Sequence, residues 1–380
     1  MLSPLAIKLR FAAVSLFLVL PVSTAFCQNA QTQVDQRTDR PLNMLVLGDS
    51  IMWGQGLKVE HKSWHHVKVW LQKTTGRAVI ERVEAHSGAV IERSSTPERL
   101  SEANGEVDLA LPTLNEELDN GLRFYSDSSN IDVVLVSGCA NDVGLQNLLN
   151  ATATEQIDEM TEVKCGPPME KLLRRITTSF PAARVIVTGY YPFFSEKTRN
   201  DFILKGLVKR FFKIIPGTPK MSSREVLERL AANSNEWYRA SNKALTEAVR
   251  KVNSGLEAKR QRVAFAKIEF SPEYSFAASQ TRLWGFNSSP FRMFLVVLSL
   301  GKILLPSNDE VRKVRSASCR EVFKQQPNES PPEKKEREKL RLLCRYAALG
   351  HPNRKGALLY AEAIMNQLKV AIGVTAASAP

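Results

Sequence analysis

The sequence predicts an α/β fold, a doubly wound three-layer α/β/α sandwich around a parallel sheet. Three observations predict it. Apolar, strand-like runs alternate along the chain with helix-like stretches, as βαβ units require. The first, third and fourth runs are almost continuously Val, Ile and Leu, the mark of strands covered on both faces. The composition, 43% hydrophobic and 24% charged over 380 residues, can bury a core and excludes a disordered or fibrous chain.

In order, the strand candidates are Asn43–Leu47, Ala78–Ala85, Ile131–Ser137, Ala183–Gly189 and Arg262–Ile268. Ser222 with Glu225 is a capping-box signature for a helix running to about Lys251. Ala357, Leu358, Ala361, Ile364, Met365, Leu368 and Ile372 recur at three or four and give a terminal helix one apolar face. Right-handed crossovers between parallel strands then place helices on both faces of the sheet.

Lys8 and Arg10 precede an apolar run from Phe11 to Leu20 that Pro21 breaks, and small residues lead to Ala25. Residues 1–25 therefore read as a secretory signal peptide, too short to span a bilayer. Residues 26–41 are polar and read as a flexible leader, and 42–375 as the folded domain. The expected location is periplasmic or secreted. Apart from Cys27 beside the signal, four cysteines remain: Cys139, Cys165, Cys319 and Cys344. An even count in an oxidising compartment permits two disulfides in any of three pairings. A Cys319–Cys344 bond would close a basic arm, leaving Cys139 for Cys165 or as a buried core thiol.

The formal charge is +13, and it is unevenly placed. Two insertions, about 195–220 and 271–345, hold most of it: Ser195–Lys220 and Lys302–Arg345 each carry a net +5. The scaffold itself is nearly neutral. Residues 202–215 mix apolar and basic side chains as an interfacial helix would, and Met293–Leu300 is a second apolar run. Either these form a membrane-facing flap or they pack as ordinary insertion helices. Arg312–Arg345, dense in Lys and Glu, reads as a solvated arm. Export and the lack of a recognition motif exclude nucleic acid as partner. No cysteine stands in metal-ligand spacing with histidine, and His61 with His65 lacks further ligands, so neither metal nor cofactor is expected.

In open α/β sheets ligands bind beyond the carboxyl ends of the strands. The first run is followed by Gly48-Asp49-Ser50-Ile51-Met52-Trp53-Gly54, which seats Ser50 at the first turn of a helix. Unpaired N–H groups and the positive dipole end there suit a developing anion, although serine is equally a common N-cap. The second run leads to His86-Ser87-Gly88-Ala89, where Gly88 can bring a bare N–H to the site. The third leads to Gly138-Cys139-Ala140-Asn141-Asp142, where the Asn141 amide can donate to an oxyanion. Gly350-His351-Pro352-Asn353 precedes the last helix, and His351 is the natural base for a serine hydroxyl. A GxSxG elbow is absent.

In order and spacing these four blocks resemble those of the SGNH/GDSL hydrolase superfamily of esterases and lipases. The resemblance implies a flavodoxin-like sheet and ester hydrolysis without a cofactor. It makes Ser50 the nucleophile and His351 the base, with Ser50, Gly88 and Asn141 forming the oxyanion hole. Two departures stand out: Cys139 occupies the place of a glycine, and Ala348 the place of the triad acid, three residues before His351. Either a backbone carbonyl orients His351, or a carboxylate arrives from elsewhere, or the pair acts as a dyad. The expected substrate is an acylated small molecule, lipid or polysaccharide. The rival expectation is a non-catalytic surface module that binds anionic polymer or membrane through the basic insertions.

Overall fold

A computed structural model describes residues 40–93, 106, 112–125, 127–151, 156–199, 221–256, 262–287 and 305–372. The signal, the leader up to residue 39, the basic segment from residue 200 to 220 and the apolar run 293–300 lie outside the described residues.

The chain opens with β1 (Leu42–Gly48), then α1 (Ser50–Trp53), α2 (Ser63–Thr75) and β2 (Val79–Val83). It continues through α3 (Leu114–Phe124), β3 (Ile131–Ser137), α4 (Ala140–Val143), α5 (Leu145–Leu148), α6 (Ile157–Ser179) and β4 (Arg184–Thr188). After these come α7 (Ser223–Ser254), β5 (Val263–Ala266), α8 (Arg312–Val322), α9 (Pro331–Tyr346) and α10 (Arg354–Ile372). All five strand expectations hold, with β2 and β5 each ending two residues earlier than expected. After Val83 pairs with Val46, the amides of Glu84 and Ala85 both turn onto the Val46 carbonyl, which ends the ladder.

The strands form one parallel sheet in the order β2-β1-β3-β4-β5, the flavodoxin-like arrangement. Successive side chains of a strand point to opposite faces, and the continuous apolar runs follow from having a core on each. Leu45, Leu47, Val134 and Val136 join α3, α6 and α7 in one core, while Met44, Val46, Val133 and Leu135 join α2 and α10 in the other. The capping box at Ser222 is formed: its hydroxyl accepts from the Glu225 amide at 3.2 Å, and Glu225 accepts the Ser222 N–H at 2.7 Å. Because the chain leaves β1 outward to β2 and then crosses to β3, the carboxyl ends of β1 and β3 border the topological switch point of the sheet.

Both disulfides take the pairing that closes the shorter loops, Cys139–Cys165 and Cys319–Cys344. The segment read as a solvated arm is one only in part: most of α9 is exposed, but the segment is packed on the rest of the chain. α8 and α9 form a hairpin joined by the Cys319–Cys344 bond, and Arg315, on α8, is fully buried. Sequence pattern misleads here because a charged side chain can enter the interior only with partners, and one of the two that Arg315 needs, Glu106, lies 209 residues away. Among the described residues no helix is long and apolar enough to cross a membrane.

Candidate active site

Asp49 builds the first corner. Its buried carboxylate caps α1 by accepting the Ile51 N–H at 3.0 Å and takes the Ser137 hydroxyl from the end of β3 at 2.7 Å. The other oxygen accepts from the Tyr190 hydroxyl, which in turn accepts the Ala140 N–H at 3.2 Å. Burial raises the Asp49 pKa, with these hydrogen bonds opposing it, and burial also pushes Tyr190 well above the ordinary phenol range, so Tyr190 stays a donor. Three strand ends are thus tied together through one carboxylate. Gly48 is required at this corner: its φ is +142°, and a Cβ there would lie 2.5 Å from the Ser137 hydroxyl. Its N–H is taken at 2.6 Å by the buried Glu117, whose pKa burial raises well above the usual carboxylate range.

Ser50 is the first residue of α1, but α1 is a single turn of four residues. A helix dipole therefore contributes little, and the expectation of dipole support is corrected: what Ser50 gains is position, on a turn whose next amides bind Asp49. The His86 amide binds the Gly48 carbonyl at 2.7 Å and the turn through Gly88 has φ +82°, so the second block lies against the first. The Asn141 side-chain amide donates to the Ala89 carbonyl at 2.8 Å, one residue from Gly88. Its neighbour Asp142 accepts the Ile91 N–H at 2.8 Å, and burial pushes its pKa up to about 7.

His351 arrives from the other end of the chain. Residues 350–353 are laid against 282–284: the Trp284 amide donates to the His351 carbonyl at 2.8 Å, and the Gly350 amide to the Trp284 carbonyl at 2.9 Å. The Tyr191 hydroxyl holds the Gly350 carbonyl at 2.7 Å. This frame brings His351 Nε2 to 2.7 Å from Ser50 Oγ across 301 residues of sequence. Its Nδ1 is buried without a hydrogen-bond partner among the described residues, and Ala348 is wholly buried and offers no carboxylate. Burial, and secondly the positive charge of Arg315, lower the His351 pKa to about 4, while the carbonyls of Leu349, Ala348 and Ala347 oppose the shift.

Arg315 sits in a buried ion cluster behind α1. It donates to Glu106 at 2.6 Å and to Asp309 at 2.5 Å. Glu106 also accepts from the Trp53 indole at 3.0 Å and the Gly56 amide at 3.1 Å. The Lys62 ammonium lies 3.4 Å over the Trp53 ring, and burial lowers its pKa to about 8. The α8–α9 hairpin is thereby fastened to the segment that carries Ser50.

Of the residues singled out in the sequence, Ser50 and His351 meet directly, and Gly88 and Asn141 are joined through the Ala89 carbonyl. Tyr190, Tyr191, Glu117 and the Arg315 cluster were missed. Tyr190 and Tyr191 were findable, since they stand directly beyond β4, where ligands and supporting groups collect. Glu117, Glu106 and Asp309 gave no local signal.

The model of the GDSL-like lipase/acylhydrolase family matches residues 46–255, more than half of the chain and including Ser50, Gly88 and Asn141. The chain belongs to this family. It is a hydrolase acting on ester bonds. No curated protein matches the chain. Among solved structures, the extracellular lipase of Streptomyces rimosus is similar with 14% identity, a TM-score of 0.38, and coverage of 64% of this chain and 88% of that one. Phospholipase A1 of Streptomyces albidoflavus has 13% identity and a TM-score of 0.38, covering 66% and 89%. A family two carbohydrate esterase of Clostridium thermocellum, in complex with cellohexaose, has 10% identity and a TM-score of 0.39, covering 88% and 66%.

Proposed function

We propose that this hydrolase is an exported serine esterase that cleaves carboxylic esters through an acyl-enzyme, with Ser50 as nucleophile and His351 as base. The observation that carries the proposal is the 2.7 Å contact between Ser50 Oγ and His351 Nε2 at the sheet's switch point. His351 takes the Ser50 proton as Oγ attacks the ester carbonyl. The oxyanion is held by the N–H groups of Ser50 and Gly88 and by the Asn141 amide, whose second hydrogen is left after the bond to Ala89. Collapse expels the alcohol, protonated by His351, and a water deprotonated by His351 releases the acid. With Ala348 in place of an acid and Nδ1 unpartnered, the pair acts as a dyad, helped by the surrounding carbonyls. Export rests on the pattern of residues 1–25 and on the two disulfides. Acylated small molecules, lipids and polysaccharides fit this chemistry, and the basic apolar segment 202–215 is proposed to meet the membrane surface.

The rival function, a binding module with a decayed site, is favoured by the alanine at 348. A fluorophosphonate probe separates the two. Covalent labelling of the wild type and not of Ser50→Ala supports the esterase, whereas a folded, unlabelled wild type would refute it.

The acid limb of kcat/KM should lie near pH 4 rather than near the ordinary histidine value of 6.5. His351 would then remain a neutral base at pH 5.5. The sign for stability follows: unfolded His351 binds a proton that the folded residue refuses, so its contribution weakens as pH falls from about 6.5 to about 4. A limb near 6.5 in a pH-rate profile would contradict a buried imidazole without a carboxylate partner.

A further inference from the structure

We propose that the Cys139–Cys165 disulfide positions Asn141, by holding residue 139 in a backbone conformation that its own side chain opposes. The inference rests on the oxyanion role given to Asn141 above.

Cys139 has φ +139° and ψ −34°, outside the regions open to residues with a Cβ, and it is the residue that immediately precedes α4. Nothing in its side chain caps that helix. Instead its sulfur is bonded to Cys165 on α6, with the two Cα atoms 5.1 Å apart. The far end of this tether is firm, because Met169, Leu172, Leu173 and Ile176 of the same helix are all wholly buried. The near end sets α4: the Cys139 carbonyl accepts the N–H groups of Asp142 and Val143, each at 3.1 Å, and the next amide, Ala140, reaches Tyr190. Asn141 stands two residues beyond the tethered position, with its amide 2.8 Å from the Ala89 carbonyl.

A strained φ persists only where its surroundings over-determine it. Without the tether, a residue with a Cβ at 139 relaxes toward an ordinary region, which rotates the flanking peptide planes and carries Ala140 and Asn141 with them. Glycine at 139 has no such tendency. The covalent bond therefore does for a cysteine what an absent side chain would do for glycine.

The test compares two variants that both lack the disulfide, Cys139→Ala/Cys165→Ala and Cys139→Gly/Cys165→Ala, at a temperature where each is folded. The alanine pair should lose about tenfold or more in kcat with little change in KM, the effect of a displaced catalytic group. The glycine pair should recover to within about threefold of wild type, although its unfolding temperature falls as well. Should the alanine pair not fold, Cys165→Ala alone replaces it and should show the same loss. Equal kcat in the alanine and glycine pairs would overturn the inference, leaving the disulfide a stabiliser only. Asn141→Ala serves as the independent control, with an expected loss of about 10²- to 10³-fold in kcat. If Asn141→Ala is harmless, the oxyanion assignment fails; if it is damaging and the alanine pair is not, this inference alone fails.

Discussion

Ser50→Ala and His351→Ala are each expected to lower kcat/KM for a short p-nitrophenyl ester by about 10⁴-fold or more, with folding intact. The size follows from the hydrogen bond between Ser50 Oγ and His351 Nε2, through which the proposed nucleophile and base would act as one unit. An alanine at 50 leaves no oxygen to acylate. An alanine at 351 leaves a hydroxyl whose proton has nowhere to go, because no second base lies within hydrogen-bond reach of Ser50 among the described residues. The double variant should be little worse than either single one, since each already removes the whole function. Losses that multiply in the double variant would show that the two residues act independently. Circular dichroism and the unfolding midpoint check that Ser50→Ala changes chemistry and not fold.

Arg315→Met is expected to destabilise the protein by about 3–5 kcal/mol, the range for breaking a buried ion pair from one side. Arg315 is fully buried, and its guanidinium faces two carboxylates, those of Glu106 and Asp309, that are themselves almost wholly buried. Removing the cation leaves both carboxylates in a poorly solvating interior, where they must protonate or drag in water. The midpoint of urea unfolding should fall while the slope changes little. A triple variant, Arg315→Met/Glu106→Gln/Asp309→Asn, should recover much of the loss because no uncompensated charge remains. A loss under about 1 kcal/mol for Arg315→Met would mean that the cluster behaves as an exposed ion pair. Arg315→Met should also raise the His351 pKa, since the second cause of its depression, after burial, is the charge at position 315.

The cluster shows how far sequence reading reached. Its arginine lies in a stretch whose spacing of Lys and Glu matches a solvated helix, and most of α9 conforms to that reading. Only one position of α8 enters the interior with its charge. What marks it is the approach of Glu106, 209 residues away, and the local pattern holds no trace of that partner.

Three of the strands were legible because the parallel sheet demands apolar side chains on both faces, a demand the first, third and fourth runs each meet alone. Ile131–Ser137 was placed to the residue for this reason. The cap of α7 was legible for the same kind of reason, since Ser222 and Glu225 satisfy each other within one turn. The residues after the strands were legible as neighbours because strand ends of a doubly wound sheet converge, and Ser50 and His351 do meet there.

By itself, then, the sequence determined the strands, the helix capped by Ser222, the terminal helix, the parallel character of the sheet and the four blocks beyond its strands, all of them encoded in contacts or periodicities a few residues long. Tertiary structure alone decided which groups meet. It joined Ser50 to His351, Asp49 to Tyr190 and Arg315 to Glu106 and Asp309, and it left His351 Nδ1 without a carboxylate. The physical reason is that hydrogen bonds and ion pairs act over a few ångströms in space whatever the separation along the chain. Burial, which lowers the His351 pKa and raises that of Asp49, is likewise a property of the packed interior and not of any segment in it.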